Sequence, residues 1–183
     1  MLDAAIELLG RRPDASMDDI AAAAGVSRQT VYAHYPSRQA LTAAILGRLT
    51  SESVRVLDAV EVDAGSARDG LCAWLEASWG LIYRYPVLLT RAVAESGTGE
   101  EYERHEPVMD SLLRVLRRGQ RSGEVDVAHP VHWYVTAIIA LGHAAGAEVM
   151  ADRMTPVEAG AAFRDAVVRV TVGTPGSPPS GRR

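Results

Sequence analysis

The stretch that decides the fold is Ile20–Arg38, which reads IAAAAGVSRQTVYAHYPSR. Its pattern is that of two helices meeting at a sharp turn. Ile20, Ala21 and Ala24 recur at helical spacing and make the inner face of the first helix. Ala21 is small, so a second helix can approach closely. Gly25 supplies the backbone freedom that a helix-ending position wants. Ser27 is placed to cap the next helix, which is short and ends near His34, ahead of Pro36. Val26 and Val31 are expected to point inward and pin the crossing. That leaves Arg28, Gln29, Thr30, Tyr32, Ala33 and His34 on exposed or half-exposed faces. A short polar helix held clear of the body can enter a DNA major groove with its N-terminal end toward the base edges.

Working outward, Leu2, Ala5, Ile6 and Leu9 form one helical stripe, stopped by Gly10, Arg11, Arg12 and Pro13. Ser16 caps the second helix, and Asp18 and Asp19 fall in its first turn, where the helix dipole favours acids. Ser37 caps a long fourth helix over residues 38–60, with Leu41, Ile45 and Leu49 along one side. Further helices are expected over residues 67–83, 87–95, 101–121, 130–151 and 155–172. Pro107 marks either a start or a kink, and Pro130 is expected at a first helical position. Residues 174–183 are rich in Gly, Pro and Ser and read as a disordered tail. The spacing predicts an all-α chain of about nine helices. A three-helix helix-turn-helix domain over residues 1–46 precedes a helical domain over residues 47–173.

Composition narrows the function classes. The net charge is -4, which argues against a protein that coats nucleic acid indiscriminately. All nineteen basic residues are arginine, and residues 1–50 hold five Arg against five Asp or Glu. Cys72 is alone, so no intrachain disulfide forms, which suits a cytoplasmic protein. No CxxC pair or HExxH pattern supports a structural or catalytic metal, and no cofactor is expected. No basic stretch followed by an apolar one suggests a secretory signal.

The sequence resembles the TetR family of transcription regulators. The match runs through LDAAIELL (Leu2–Leu9), SMDDIA (Ser16–Ala21) and AGVS (Ala24–Ser27), then Val31, Tyr32, His34, Tyr35, Pro36, Ser37, Arg38 and Leu41. The resemblance implies a DNA-binding regulator rather than an enzyme. It implies that Arg28 and Gln29 read guanine or adenine edges, and that Thr30 meets a thymine methyl or a phosphate. Ser16, Ser27, Tyr32, His34, Tyr35 and Arg38 are then placed to hold phosphates and fix register. Two bland roles stand beside these: Tyr32 packing on the fourth helix, and His34 capping the short helix's end. Relatives usually carry a basic arm ahead of the first helix, and here Met1 opens that helix directly. With so few cations, a shallow salt dependence of binding is expected.

For the second half the resemblance implies a ligand-binding and dimerisation domain. Trp74, Trp79, Tyr83, Met109, Leu113 and Trp133 are the expected pocket lining, the effector being a small apolar or amphipathic molecule. Plain core packing is the competing role for each. His105 and Glu106, near Glu101 and Glu103, match no ligand spacing and read as a solvated helix face. The stretch 133–147 (WYVTAIIALGHAAGA) is apolar but short for a membrane span, and His143 interrupts it. It reads as a dimer seam, with Val167, Val168, Val170 and Thr171 of the last helix beside it. The implied protein is a cytoplasmic, ligand-released repressor. It binds a double-stranded, pseudo-palindromic operator as a homodimer through its last two helices. Two rivals remain: a DNA-binding module with no small-molecule ligand, favoured by a packed second domain without a cavity, and a small helical enzyme using His105.

Overall fold

The computed structural model describes residues 1–89 and 100–172, with the backbone alone at 89 and 100–107. Among these residues there are eight α-helices and one 3-10 turn, and no strand. The helices are α1 (Leu2–Arg11), α2 (Met17–Ala23), α3 (Arg28–His34), α4 (Arg38–Asp58), α5 (Ala67–Arg84), α6 (Glu100–Ser122), α7 (Val131–Met150) and α8 (Pro156–Thr171). The 3-10 turn spans Pro86–Leu89, between α5 and α6.

Local chemistry sets these boundaries. Hydroxyls of Ser16, Ser27, Ser37, Ser66 and Thr155 accept from backbone N–H groups in the first turns of α2, α3, α4, α5 and α8. Each satisfies a donor that the helix itself leaves unpaired. Gly25 sits at φ +66, a left-handed conformation that costs other residues energy, and this lets α3 leave α2 at an angle.

Two cores follow. The first joins Ala5, Ile6 and Leu9 of α1, Ile20 and Ala21 of α2, Val31 of α3, and Leu41, Ile45 and Leu49 of α4. The second gathers Leu71, Trp74 and Leu75 of α5, Leu112, Val115 and Leu116 of α6, Tyr134 and Ile138 of α7, and Phe163 and Val167 of α8. The helix α4 runs unbroken between them and contributes Leu57 to the second.

Four expectations need correction. The helix over 87–95 is, in its described part, the 3-10 turn Pro86–Leu89; residues 90–99 lie outside the described ones. Pro86 forces Tyr85 out of the helical region, so α5 ends there. Val87 then docks back into the first core at 1% exposure, and Tyr85 touches both cores. Pro130 is the N-cap of α7, with an extended ψ of 151, rather than its first helical residue. Val167 and Thr171 are fully buried within the chain, so they cannot belong to an exposed seam. Position 107 lies inside α6, neither a start nor a break. The tail 174–183 lies outside the described residues, as do the side chains of Glu101, Glu103, His105 and Glu106.

Candidate nucleic-acid interface and apolar groove

Val31 is 0% exposed and anchors α3 to the first core. The other face of this seven-residue helix is bare: Arg28, Gln29, Thr30, Tyr32, Ala33 and His34 are all exposed. Tyr32 is 37% exposed. It carries the Arg28 guanidinium over its ring, with the guanidinium carbon 5.2 Å from the ring centre. Nη1 of Arg28 also donates to Asp18 Oδ2 at 2.8 Å.

The remaining expected contacts divide by their present partners. The Ser27 hydroxyl lies 2.8 Å from Thr30 Oγ1 and caps α3. Ser16 and Asp19 close a reciprocal capping box on α2, with Ser16 Oγ donating to Asp19 Oδ2 at 2.6 Å. The Ser16 hydroxyl and backbone N–H, with Arg12 adding to them, hold the Asp19 carboxyl below the usual carboxylate range. Tyr35 is half-buried against the first core, its ring 6.4 Å from that of His34. Arg38 is half-buried and reaches back to the α1–α2 loop, where Nη2 donates to Pro13 O at 2.6 Å and Nη1 to Ala15 O. It braces the domain from the start of α4.

All five arginines of this half have an acceptor. Arg11 pairs with Glu7, Arg12 with Asp19, Arg28 with Asp18 and Arg48 with Asp3, while Arg38 holds two carbonyls. The surface is thus polar and hydrogen-bonding without a large positive field.

In the second half, only two of the expected lining residues come together. Trp74 is buried, donating its indole N–H to Ser111 Oγ at 3.0 Å. Met109 and Leu113 are half-buried against the second core. Trp133 is 46% exposed and stacks on His129 at 4.9 Å. Trp79 and Tyr83 do meet, in an open groove of about 540 Å³ between α5 and α8. Trp79 forms part of its lining and donates to Pro156 O at 3.0 Å. A Cβ on Gly160 would stand 2.5 Å from the Trp79 indole nitrogen, so only glycine lets the ring lie there. Leu75, Val157 and Ala161 complete an apolar lining, and Glu76 pairs with Arg164 at 3.2 Å. Among the described residues no group of three or more His, Cys, Asp or Glu could hold a metal ion.

Sequence reasoning missed Asp18 as the partner of Arg28, and Glu76, Gly160 and Arg164 as groove residues. The available signal for Asp18 was its place in the first turn of α2, which a helix-turn-helix crossing brings beside the first residue of α3.

A three-helix domain that presents α3, carried by a larger helical domain, defines a helix-turn-helix DNA-binding protein of the two-domain helical class. Residues 1–45 match the family described as bacterial regulatory proteins, tetR family. The match to that family of regulatory proteins falls within the N-terminal domain. A 65-residue segment is 38% identical to the HTH-type transcriptional repressor LfrR of Mycolicibacterium smegmatis, spanning 36% of this chain and 34% of that repressor. The LfrR structure solved in complex with proflavine is similar over 95% of this chain and 96% of its own, at 25% identity and a TM-score of 0.71. A tetR-family regulatory protein from Rhodococcus RHA1 shares the fold at a TM-score of 0.77 and 18% identity, over 94% of this chain and 95% of its own.

Proposed function

We propose that the chain is a sequence-specific repressor that binds a pseudo-palindromic operator as a homodimer and leaves it when a small amphipathic molecule binds. In this reading residues 1–46 read DNA and residues 47–173 sense the ligand and form the dimer. The observation that carries it is α3 itself: one valine anchored in the core and every other residue but the last cap turned outward. Arg28 and Gln29 then take base edges, and Thr30 takes a thymine methyl or phosphate. Ser16, Tyr32 and His34 grip phosphates around them. With every arginine of the domain already near an acceptor, the salt dependence of binding is shallow.

The dimer reading rests on α7. This helix is long and apolar enough to cross a membrane by composition, yet it packs on α6 and α8, and only 33% of its apolar window is buried. Trp133, Ile139, Ala140, Ala144, Ala147 and Met150 stay exposed along it, and Val170 of α8 is exposed as well. Exposed apolar surface of this kind marks an interaction site, and a second copy of the same chain is the commonest partner. The small residues allow close helix approach, and the apolar character suits a lasting dimer.

The groove between α5 and α8 supports the sensing role. Its size and aromatic lining suit a small molecule. The similar LfrR was solved in complex with proflavine, and the groove lining here carries Glu76 paired with Arg164. The groove also lies on α5, one short step from the turn that docks into the DNA-binding core.

The test is selection of duplexes from a random pool, followed by fluorescence anisotropy with and without proflavine. The expected result is a pseudo-palindrome with half-sites about 34–36 Å apart, bound by a dimer and weakened by the dye. Recovery of no sequence above the non-specific level would defeat the reading.

A further inference from the structure

We infer that Asp18 is a specificity-determining residue: its carboxylate positions the Arg28 guanidinium for base reading and, by its charge, suppresses binding to DNA of the wrong sequence. The inference rests on the reading of α3 as the recognition helix. Asp18 lies in the first turn of α2 and Arg28 opens α3, ten residues later, so the helix-turn-helix crossing alone brings them together. Asp18 Oδ2 accepts one N–H, from Nη1, at 2.8 Å. The Arg28 guanidinium carbon lies over the ring of Tyr32, one helical turn further on, at 5.2 Å from its centre. A salt bridge on one side and an aromatic face beneath leave an arginine with few of its free rotamers.

The pair is poorly placed to serve the fold. Its side chains are 64% and 57% exposed, and exposed ion pairs contribute little to stability. Its consequence lies instead at the DNA. A guanidinium has five N–H donors in a rigid fork, and the single bond to Asp18 leaves enough for a bidentate contact to guanine O6 and N7. An arginine held in place loses less freedom on forming that contact. The carboxylate also has a cost. On any sequence it stands close to a surface meant for phosphates, and it repels them whether or not Arg28 finds its base. Correct DNA recovers this loss through the oriented arginine, and incorrect DNA does not. Repulsion of wrong partners alongside attraction of the right one is a general route to specificity.

The experiment uses the full-length protein and the duplex selected above, with Asp18→Ala, Asp18→Asn, Arg28→Ala and the double variant Asp18→Ala/Arg28→Ala. Affinity is measured by anisotropy on the selected duplex, on each single base-pair substitution of it, and on a scrambled duplex, across a salt series. Asp18→Ala binds the scrambled duplex several-fold more tightly, and its salt slope steepens by roughly 0.9 for each phosphate newly engaged. The same variant loses about tenfold or more of its discrimination at one base pair per half-site. That base pair is the one to which Arg28→Ala becomes blind, and the double variant loses nothing further there. Asp18→Asn keeps an acceptor at the same reach without the charge, so it gains the non-specific affinity while keeping part of the base preference. If Asp18→Ala keeps the full base-pair preference, or weakens all duplexes alike, the inference is overturned while the recognition-helix reading stands. A wild-type protein that prefers no duplex overturns both. Thermal unfolding by circular dichroism separates either result from loss of the fold.

Discussion

At the scale of single residues, the interface contains two kinds of side chain that the sequence presents alike. Gln29 is exposed on α3, so in the proposed reading its loss removes a base contact while leaving the fold untouched. Arg38 is half-buried, and its N–H groups hold the carbonyls of Pro13 and Ala15. Gln29→Ala is expected to weaken operator binding by about 1–3 kcal/mol, with the melting temperature unchanged. Arg38→Ala is expected to weaken binding on every sequence and to lower the melting temperature too. It leaves two carbonyls without their charged donor, a loss of about 1.5–3 kcal/mol for a hydrogen bond to a charged group. Paired anisotropy and calorimetry on the two variants check this; equal melting temperatures would sink the bracing role. Which face α3 shows was legible because Val31 is its one large aliphatic residue and most of the others are polar. That Arg38 turns back onto the α1–α2 loop was not, because an arginine's reach allows several partners and sequence spacing chooses none of them.

At the scale of elements, two helices begin with the same reciprocal device. Ser16 with Asp19 opens α2, and Thr155 with Glu158 opens α8. Hydrogen bonds from the cap residues hold both carboxyls below their ordinary range, led by the Ser16 side chain for Asp19 and the Thr155 backbone for Glu158. A carboxyl with a lower folded than unfolded pKa binds fewer protons when folded. Its contribution is therefore present above the unfolded value and is lost as pH falls through the folded one. The melting temperature is expected to fall more steeply below pH of about 4 than above it. Asp19→Asn and Glu158→Gln should each lower stability at neutral pH and flatten that acid decline. A scanning-calorimetry series from neutral to acid pH reads both effects, and an unchanged slope in the double variant would count against the caps. These helix starts were legible because capping is a rule of neighbouring residues. The Pro86–Leu89 turn was not, because Val87 finds its place among α1 residues that are distant in sequence, and its apolar run reads equally well as helix.

That turn matters most at the scale of the whole molecule. The groove, α5 and the first core form one continuous line: Trp79 and Tyr83 line the groove, Tyr85 touches both cores, and Val87 is buried in the first. Its backbone nitrogen lies 3.3 Å from where a Cβ on Gly10 would be, so α1 and the turn are packed as tightly as a glycine allows. A ligand that shifts the end of α5 must move the turn, and the turn cannot move without disturbing α1 or leaving its pocket. The second link is α4, which runs through both cores. Coupling carried by the turn requires its packing, whereas coupling carried by α4 alone does not. Val87→Ala removes the packing and keeps both helices. It is expected to destabilise the first domain by about 1.5–3 kcal/mol, from two buried methyl groups at roughly 0.8 kcal/mol each together with the cavity they leave. Well below its melting temperature the variant should still bind the operator. The ratio of operator affinities without and with proflavine should nonetheless fall toward one, since a coupling of about 1–3 kcal/mol corresponds to a 5–150-fold ratio in an intact switch. If Val87→Ala keeps the full ratio, α4 carries the signal and the turn is only a brace.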